Sequence, residues 1–275
     1  MGAQATWISG GRLHLHHGPI DMIVGAEGPG VQAGFARAIR RFDTLLEDLA
    51  AELPRLRSAE GPLPVGDVAQ DMVRTIERFP EFSTPMAAVA GAGADAILAA
   101  LTDGPGVCKA YVNNGGDIAF HLGESAVFRV AMAGTGGQIE VSSLCSARGI
   151  ATSGRHGRSL SFGIADSVTV LAENAALADV AATLIANAVD LPTAPEISRA
   201  PACEQHPDSD LGTRLVTTHV APLTDAQISN ALTAGMIRAE SFRAADLIHS
   251  AALTLGSQTR IAGLLPLTHL EAIDA

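Results

Sequence analysis

The sequence has few aromatic residues, few charged residues and few cysteines, and each shortage excludes a class of protein. Aromatic residues make up 4% and charged residues 17% of the 275 residues, whereas apolar residues make up 47%. This balance excludes a disordered or fibrous chain and predicts a well-buried core. The three cysteines, Cys108, Cys145 and Cys203, form no CxxC pair and are odd in number, which excludes a disulfide framework.

Positive charge is also scarce. Lys and Arg total 18 against 29 Asp and Glu, so the net charge is −11, and no basic cluster interrupts this balance. Nucleic acid and anionic membrane surfaces are therefore not expected as partners. The longest apolar stretch, residues 86–101, is expected to be too short and too weakly hydrophobic to span a membrane. The N-terminus has no signal-peptide pattern, and we expect a cytoplasmic protein.

Periodicity predicts one α/β domain over residues 1–275, with mixed sheets covered by helices. Apolar residues at helical spacing predict helices over residues 31–53, 65–79 and 174–189. Alternating runs predict strands, among them residues 107–112, 117–122, 126–132, 139–144 and 167–172. Residues 192–212 are rich in Pro, Ser and Asp, and we expect a mobile loop there.

The run Asn113-Asn-Gly-Gly-Asp117 lies between two predicted strands. Asn and Gly tolerate positive φ, so an ordinary hairpin turn would explain this composition. Alternatively, Gly115 and Gly116 expose backbone N–H groups to a ligand that Asp117 orients. The sequence leaves both interpretations open.

A second run, residues 151–159, concentrates hydroxyl, imidazole and guanidinium groups between glycines. Its polar members are Thr152, Ser153, Arg155, His156, Arg158 and Ser159. Turns rich in Gly, Ser and Arg suit phosphate oxygens, because N–H, O–H and guanidinium donors converge on the anion. We favour an anion site over a solvated loop here.

The helix predicted over residues 174–189 is almost entirely apolar, yet Asp179, Thr183 and Asn187 recur every four residues. This spacing places the three oxygen-bearing side chains on one helix face. Carboxylate and hydroxyl oxygens are ligands for Mg²⁺, which completes its shell with water and substrate phosphates. A solvated helix face would give the same pattern.

Taken in order, five segments resemble the ApbE-like superfamily, which comprises the FAD-dependent protein FMN transferases and their uncharacterised relatives. The segments are the small-residue run 86–95, Val112–Ile118, Ile150–Gly154, Ser167–Ala172 and Leu177–Thr183. The resemblance covers residues 85–189, and it is closest to the short, uncharacterised branch. It implies a layered mixed-sheet domain related to the T-fold, and a Mg²⁺-dependent FMN transferase or an enzyme that cleaves the FAD pyrophosphate.

The resemblance also implies roles for particular residues. Asp179 and Thr183 match the residues that hold Mg²⁺ against the FAD pyrophosphate, and a backbone carbonyl near Ala88 would add a ligand. A site for FAD or another flavin nucleotide would be lined by Asn113, Gly115, Gly116, Asp117, Thr152, Ser153 and Gly154. A flavin-acceptor protein is the candidate macromolecular partner.

The sequence departs from the transferases at their catalytic loop. Their longer insertion after the Ser-Gly turn has no counterpart, because only residues 155–164 connect Gly154 to the next strand. His156 is the sole imidazole there and becomes the candidate acid or base. Arg155 and Arg158 flank it as candidate phosphate ligands. The missing loop favours the alternative of a non-catalytic flavin or nucleotide binder.

Overall fold

The computed structural model describes residues 2–131, 137–157, 159–265 and 267–269, and this part of the chain forms a mixed α/β fold with three antiparallel sheets. Its strands are β1 (Gln4–Ile8), β2 (Arg12–His17), β3 (Ile20–Glu27), β4 (Lys109–Asn114), β5 (Asp117–Leu122), β6 (Val127–Ala131), β7 (Gly137–Ser142), β8 (Gly149–Ser153), β9 (Ser167–Ala172), β10 (Ile197–Pro201), β11 (Leu215–Val220), β12 (Ser250–Leu255), β13 (Gln258–Ala262) and β14 (Leu267–His269). Its helices are α1 (Val31–Ala51), α2 (Leu53–Leu56), α3 (Asp67–Ile76), α4 (Val89–Thr102), α5 (Ala175–Ala188), α6 (Ala202–Gln205) and α7 (Asp225–Ala244), with a 3-10 turn at Pro85–Ala88.

The central sheet has nine strands in the order β1-β2-β3-β4-β5-β8-β9-β12-β13. Every neighbouring pair in it is antiparallel. The smaller sheets are the hairpin β10-β11 and the three-stranded β14-β7-β6. The coarse prediction of a mixed α/β fold is therefore confirmed, whereas the expectation of mixed sheets is wrong, because every described strand pair is antiparallel.

The two faces of the central sheet bury different apolar clusters. Along β5, Ile118 and Phe120 join a cluster with β6 and β7, whereas Ala119 joins the cluster formed with the helices. Successive side chains of a strand point to opposite faces, so the same strand serves both clusters. The rings of Phe120 and Phe128 stack at 4.7 Å between the two sheets. Small sheet, central sheet and helices thus follow one another as layers.

Helices α4 and α5 lie at the centre of the helical layer, α4 against β4 and β5, and α5 against β8 and β9. Glycine allows this close packing. A Cβ atom on Gly91 would lie 2.3 Å from the Ala175 carbonyl oxygen, and one on Gly149 would lie 2.0 Å from the Asn174 carbonyl carbon. The small-residue run at the start of α4 therefore lets the two helices touch through their backbones.

The apolar stretch around α4 was expected to be too short to span a membrane, and the helical segment is longer than that expectation assumed. Residues 85–102 form one helical segment that is long and apolar enough to cross a membrane by length and composition, which corrects the expectation of too short a stretch. In the structure, this segment is partly buried and packs on α1, α5 and the central sheet, as in a soluble-like α/β fold. A core helix of Ala, Gly and Ile gives the same composition as a weak membrane span.

Several predicted elements are confirmed, and four strands, β1, β8, β10 and β14, were missed. β5 and β9 have the predicted bounds, and the helix over 174–189 is α5. Residues 151–153, which were assigned to the predicted anion site, belong to the interior strand β8. β1 was not predicted, and the segment 192–212 contains β10 and α6. The mobility of that segment and the single domain stay predictions.

Replacing Gly91 should destabilise the protein, because a Cβ there meets backbone atoms of α5 that cannot move aside. We expect Gly91→Ala to lower the free energy of unfolding by about 1–3 kcal/mol. Gly93→Ala is the matched control, since its Cβ would meet side-chain ends and no backbone: Met22 at 3.3 Å, Asn114 at 3.6 Å and Leu45 at 3.8 Å. That variant gains helix propensity and should be neutral or stabilised by up to about 1 kcal/mol. Equal urea midpoints for both variants would contradict this account.

Candidate functional site

Two carboxylates join α4 to α5 by capping each other's helix. Asp179 of α5 accepts a hydrogen bond from the Gly91 N–H at the start of α4, with 3.0 Å between Oδ2 and N. Asp95 of α4 accepts hydrogen bonds from the N–H groups of Ala175 and Ala176 at the start of α5, at 3.1 and 2.9 Å. Carboxylates satisfy the free N–H groups of a helix start and interact favourably with its dipole. Each helix therefore receives part of its N-terminal capping from the other, and Asn174 adds a cap at the start of α5 by accepting the Leu177 N–H at 2.8 Å.

A cavity of about 400 Å³ opens beside this crossing. One wall is the polar face of α5, which contributes Asp179, Thr183 and Asn187. The residues before and at the start of α4 form a second wall. Further lining comes from Asp117, the segment after residue 158 and residues 206–211. The members of these other walls are Phe82, Ser83, Thr84, Met86, Ala87, Val89, Ala90, Ser159, Leu160, Phe162, His206, Asp208, Ser209, Asp210 and Leu211, together with Leu184 of α5.

The cavity is acidic. Its described lining includes the carboxylates of Asp117, Asp179, Asp208 and Asp210, and within the described part of the wall there is no Lys or Arg. Burial raises the pKa of Asp179 well above its usual range, and the negative charge of Asp117 raises that pKa further. The backbone N–H groups of Gly91 and Ala90 act in the opposite direction. A cation between Asp117 and Asp179 would relieve this repulsion.

The donor set fits Mg²⁺ only in part. Carboxylate and hydroxyl oxygens at Asp117, Asp179 and Thr183 are the hard ligands that Mg²⁺ prefers. Over the described residues, no group of three or more His, Cys, Asp and Glu side chains could hold a metal ion. Backbone carbonyls, water and ligand phosphates would have to complete the shell. Ala88 is fully buried, and its neighbours Ala87 and Val89 line the cavity.

Asn187, the third residue of the polar stripe, has a structural role. Its Oδ1 accepts hydrogen bonds from the Phe162 N–H at 2.9 Å and from the Ser161 hydroxyl at 3.3 Å. This oxygen therefore fixes the segment that follows residue 158 against α5. All three residues of the stripe line the cavity, but the oxygen of Asn187 is already engaged by residues 161 and 162.

The run Asn113–Asp117 forms a hairpin turn, as the structural interpretation predicted. Asn114 pairs with Asp117 across a two-residue turn, and Gly115 and Gly116 have φ values of 69° and 114°. The Asn113 side chain accepts a hydrogen bond from the Gly116 N–H at 2.8 Å. Asn113, Gly115 and Gly116 line a separate cavity of about 270 Å³. Only Asp117 of the predicted nucleotide-binding residues in this run reaches the main cavity.

The predicted anion loop also differs from expectation. Thr152 lies in β8, where its hydroxyl is 2.9 Å from that of Thr169. Gly154 follows with φ 154°, and a Cβ there would lie 2.4 Å from the Asp166 carbonyl oxygen. Neither these two residues nor Ser153 lines the main cavity. These three residues therefore serve strand pairing and a tight turn.

Asp166 binds the charged groups of the same loop. Its Oδ1 lies 2.7 Å from a guanidinium nitrogen of Arg155 and 3.2 Å from His156 Nε2, and its Oδ2 accepts the Gly256 N–H at 2.6 Å. Arg155 is thus paired with a carboxylate and not directed at the cavity, and His156 is absent from the cavity lining. Arg158 lies outside the described residues. Ser159 of the same run does line the main cavity, and phosphate binding by this loop stays a prediction.

The sequence analysis missed the wall formed by residues 206–211. Thr84 donates a hydrogen bond to Asp210, and the Arg214 guanidinium lies 3.6 Å from the centroid of the Phe82 ring. These contacts attach the segment after β10 to the residues before α4. Its Pro, Ser and Asp content suggested a loop, and nothing in that composition identified its partner.

Comparison with known proteins now identifies the class. The family model described as AbpE bacteria matches residues 5–261, and the chain belongs to that family. A UPF0280 protein of Methanopyrus kandleri is 34% identical over 177 residues, covering 61% of this chain and 69% of that protein. UPF0280 proteins of Methanococcus vannielii and Methanothrix thermoacetophila are 32% and 40% identical over 151 and 117 residues, which cover 52% and 38% of this chain. The chain spans 61% and 46% of the length of those two relatives.

The buried cap Asp95 should make stability depend on pH. Burial raises its pKa from 3.8 to about 6, so the folded protein holds a proton that the unfolded chain has released between these values. That stabilisation is complete below about pH 4 and is lost as pH rises through 6. From pH 5 to 7, wild type should lose roughly 1 kcal/mol of unfolding free energy relative to Asp95→Asn.

Urea unfolding at both pH values measures this difference. Asp43→Asn, on the exposed side of α1, is the control and should follow wild type at each pH. If the unfolding free energies of Asp95→Asn and wild type change equally between pH 5 and 7, the buried cap does not take up the proton.

Proposed function

We propose that the main cavity binds a flavin nucleotide with a pyrophosphate, such as FAD, together with Mg²⁺, and that the chain is an ApbE-like protein of T-fold-related layering. The order of the five motif segments and membership of the AbpE bacteria family support this proposal. A volume of about 400 Å³ lies within the usual range of small-molecule sites, roughly 300–1,000 Å³.

The observation that carries the proposal is the pair Asp179 and Asp117 at the helix crossing. Both carboxylates line the cavity, and the charge of Asp117 raises the proton affinity of the buried Asp179. A cation held by the two carboxylates would offset that effect. Thr183 adds a hydroxyl one helical turn from Asp179 on the same face. Because no Lys or Arg lies in the described lining, a pyrophosphate would otherwise meet only negative charge.

In this proposal, Asp179, Thr183 and Asp117 hold Mg²⁺, and the carbonyl of Ala88 is the backbone candidate. The metal would supply neutralisation of the pyrophosphate charge. Asp179 keeps its oxygen on the Gly91 N–H, so the cap that joins α4 to α5 also orients the carboxylate. The residues bind and orient the ligand, and no reaction is needed to account for them.

We further propose binding without turnover. His156, the candidate acid or base, is hydrogen-bonded to Asp166, and its side chain is 64% exposed. His156 does not line the cavity, so in this proposal it does not reach the phosphates, as a general acid or base would have to. A cytoplasmic flavin carrier or assembly factor fits these features, with a flavin-acceptor protein as partner. Cleavage of the pyrophosphate is the second candidate, favoured by the imidazole of His206 in the cavity wall.

Asp179→Asn should abolish Mg²⁺-dependent FAD binding, because the amide keeps an oxygen for the Gly91 N–H but loses the charge that holds the metal. Calorimetric titration of FAD with Mg²⁺ and with chelator measures the effect. Thr183→Val should weaken the same binding.

Asp43→Asn is the control, since Asp43 is exposed on α1 and does not line this cavity. Its FAD affinity should equal that of wild type. If Asp179→Asn binds FAD as tightly as wild type with and without chelator, the polar stripe is a solvated face and the metal proposal is wrong.

Incubation with FAD and Mg²⁺ separates the two candidate functions. We expect FAD to remain intact, with chromatography detecting no AMP. Release of AMP would favour the cleaving enzyme, and in that case His206→Ala should stop the release while His156→Ala should not.

A further inference from the structure

The main cavity has an aromatic residue in its wall that the metal proposal does not use. Phe82 lies three residues before the 3-10 turn, lines the cavity and is 44% exposed. An exposed Phe in a chain with only 4% aromatic residues is costly to leave in water. Its position in the cavity wall makes the ring accessible to a ligand in that cavity.

The Phe82 ring is held in place from one side. The Arg214 guanidinium lies 3.6 Å from the ring centroid, a cation–π contact. Arg214 does not line the cavity, so the part of the ring that borders the cavity is not the face under the guanidinium. The ring therefore has one face covered by a cation and another part available to the cavity.

The neighbours of Phe82 are also fixed. Glu81 forms an ion pair with Arg238 of α7, and Thr84 donates a hydrogen bond to Asp210. The backbone around the ring is thus attached to two other segments of the fold. A platform that is already ordered loses little entropy when a ligand binds.

Ser83 adds a polar group to this apolar position. Its hydroxyl oxygen is buried and makes no hydrogen bond within the described part of the chain, although Ser83 itself lines the cavity. Buried hydroxyls almost always have a partner. A ligand that offers a flat apolar face beside a hydrogen-bonding edge would satisfy Phe82 and Ser83 together. Planar nitrogen heterocycles have both features.

We propose that Phe82, backed by Arg214, is the stacking platform for the planar heteroaromatic ring of the nucleotide, with Ser83 bonding to the ring's polar edge. This inference rests on the proposed function and adds the specificity-determining end of the site. The isoalloxazine and adenine rings share the required chemistry. The phosphates would lie toward Asp179, and the ring would lie against the wall formed with residues 206–211.

Phe82→Leu should weaken FAD binding about tenfold, since stacking on an aromatic side chain contributes about 1–3 kcal/mol per base. Phe82→Tyr keeps the ring and should bind within about twofold of wild type. Arg214→Gln should lower FAD affinity about two- to fivefold, which is the contribution of an exposed cation–π contact. The surface control is Ile237→Ala, because Ile237 is an exposed apolar residue on α7, and this variant should leave FAD affinity unchanged.

Flavin fluorescence quenching and calorimetry measure these affinities, and circular dichroism checks that each variant is folded. Inorganic pyrophosphate with Mg²⁺ is the second probe, because it has no ring and should bind wild type and Phe82→Leu equally. Riboflavin and adenosine, tested separately, distinguish the two rings, since only the ring that stacks should lose affinity in Phe82→Leu.

The outcomes separate the inference from the proposed function. If FAD and pyrophosphate bind wild type but Phe82→Leu leaves FAD affinity unchanged, the platform is overturned and the metal site stands. An equal loss for FAD and pyrophosphate would also overturn it, because that pattern reflects structural damage. If wild type binds neither probe, the proposed function fails and the platform fails with it.

Discussion

The reciprocal capping of α4 and α5 is the interaction on which the candidate site depends. Asp179 and Asp95 each reach from one helix to the N-terminus of the other, and glycine at position 91 allows the backbones close enough for this exchange. Without these two carboxylates, the helix starts would bury N–H groups that have no intrahelical acceptor. The cavity lies beside this crossing because the same geometry brings the polar face of α5 to the start of α4.

This arrangement couples stability to chemistry. A carboxylate that caps a helix is fixed in orientation, whereas one on a mobile loop is not. Asp179 is therefore positioned by the fold before any ligand arrives. Its raised proton affinity is the energetic cost of that position, since burial and the charge of Asp117 both disfavour the ionised form. The Asp179 carboxylate therefore has two roles: it caps α4, and it is a proposed ligand of the cation.

Local sequence predicted the elements well and the long-range assembly poorly. The bounds of β5, β9 and α5 followed from periodicity and flanking turn residues. The location of Asp179 and Thr183 on one face of α5 followed from helical spacing. The interior strand β8 was hidden because Gly149–Ser153 is short and lacks alternation. Arg155 and His156 both contact Asp166, which lies ten or more residues further along the chain. The composition of the loop does not reveal this partner. The wall at residues 206–211 depends on contacts to Phe82 and Thr84, more than 100 positions earlier in the chain.

The strands of the central sheet lie side by side in chain order. The strands that do not belong to it lie in two insertions, or excursions, between consecutive central strands, apart from β14 after β13. The excursion between α5 and α7, which carries β10, α6 and β11, adds no strand to the sheet, yet it contributes His206, Asp208 and Asp210 to the cavity. Evolution can therefore change the length and chemistry of this excursion without shifting the register of any central strand.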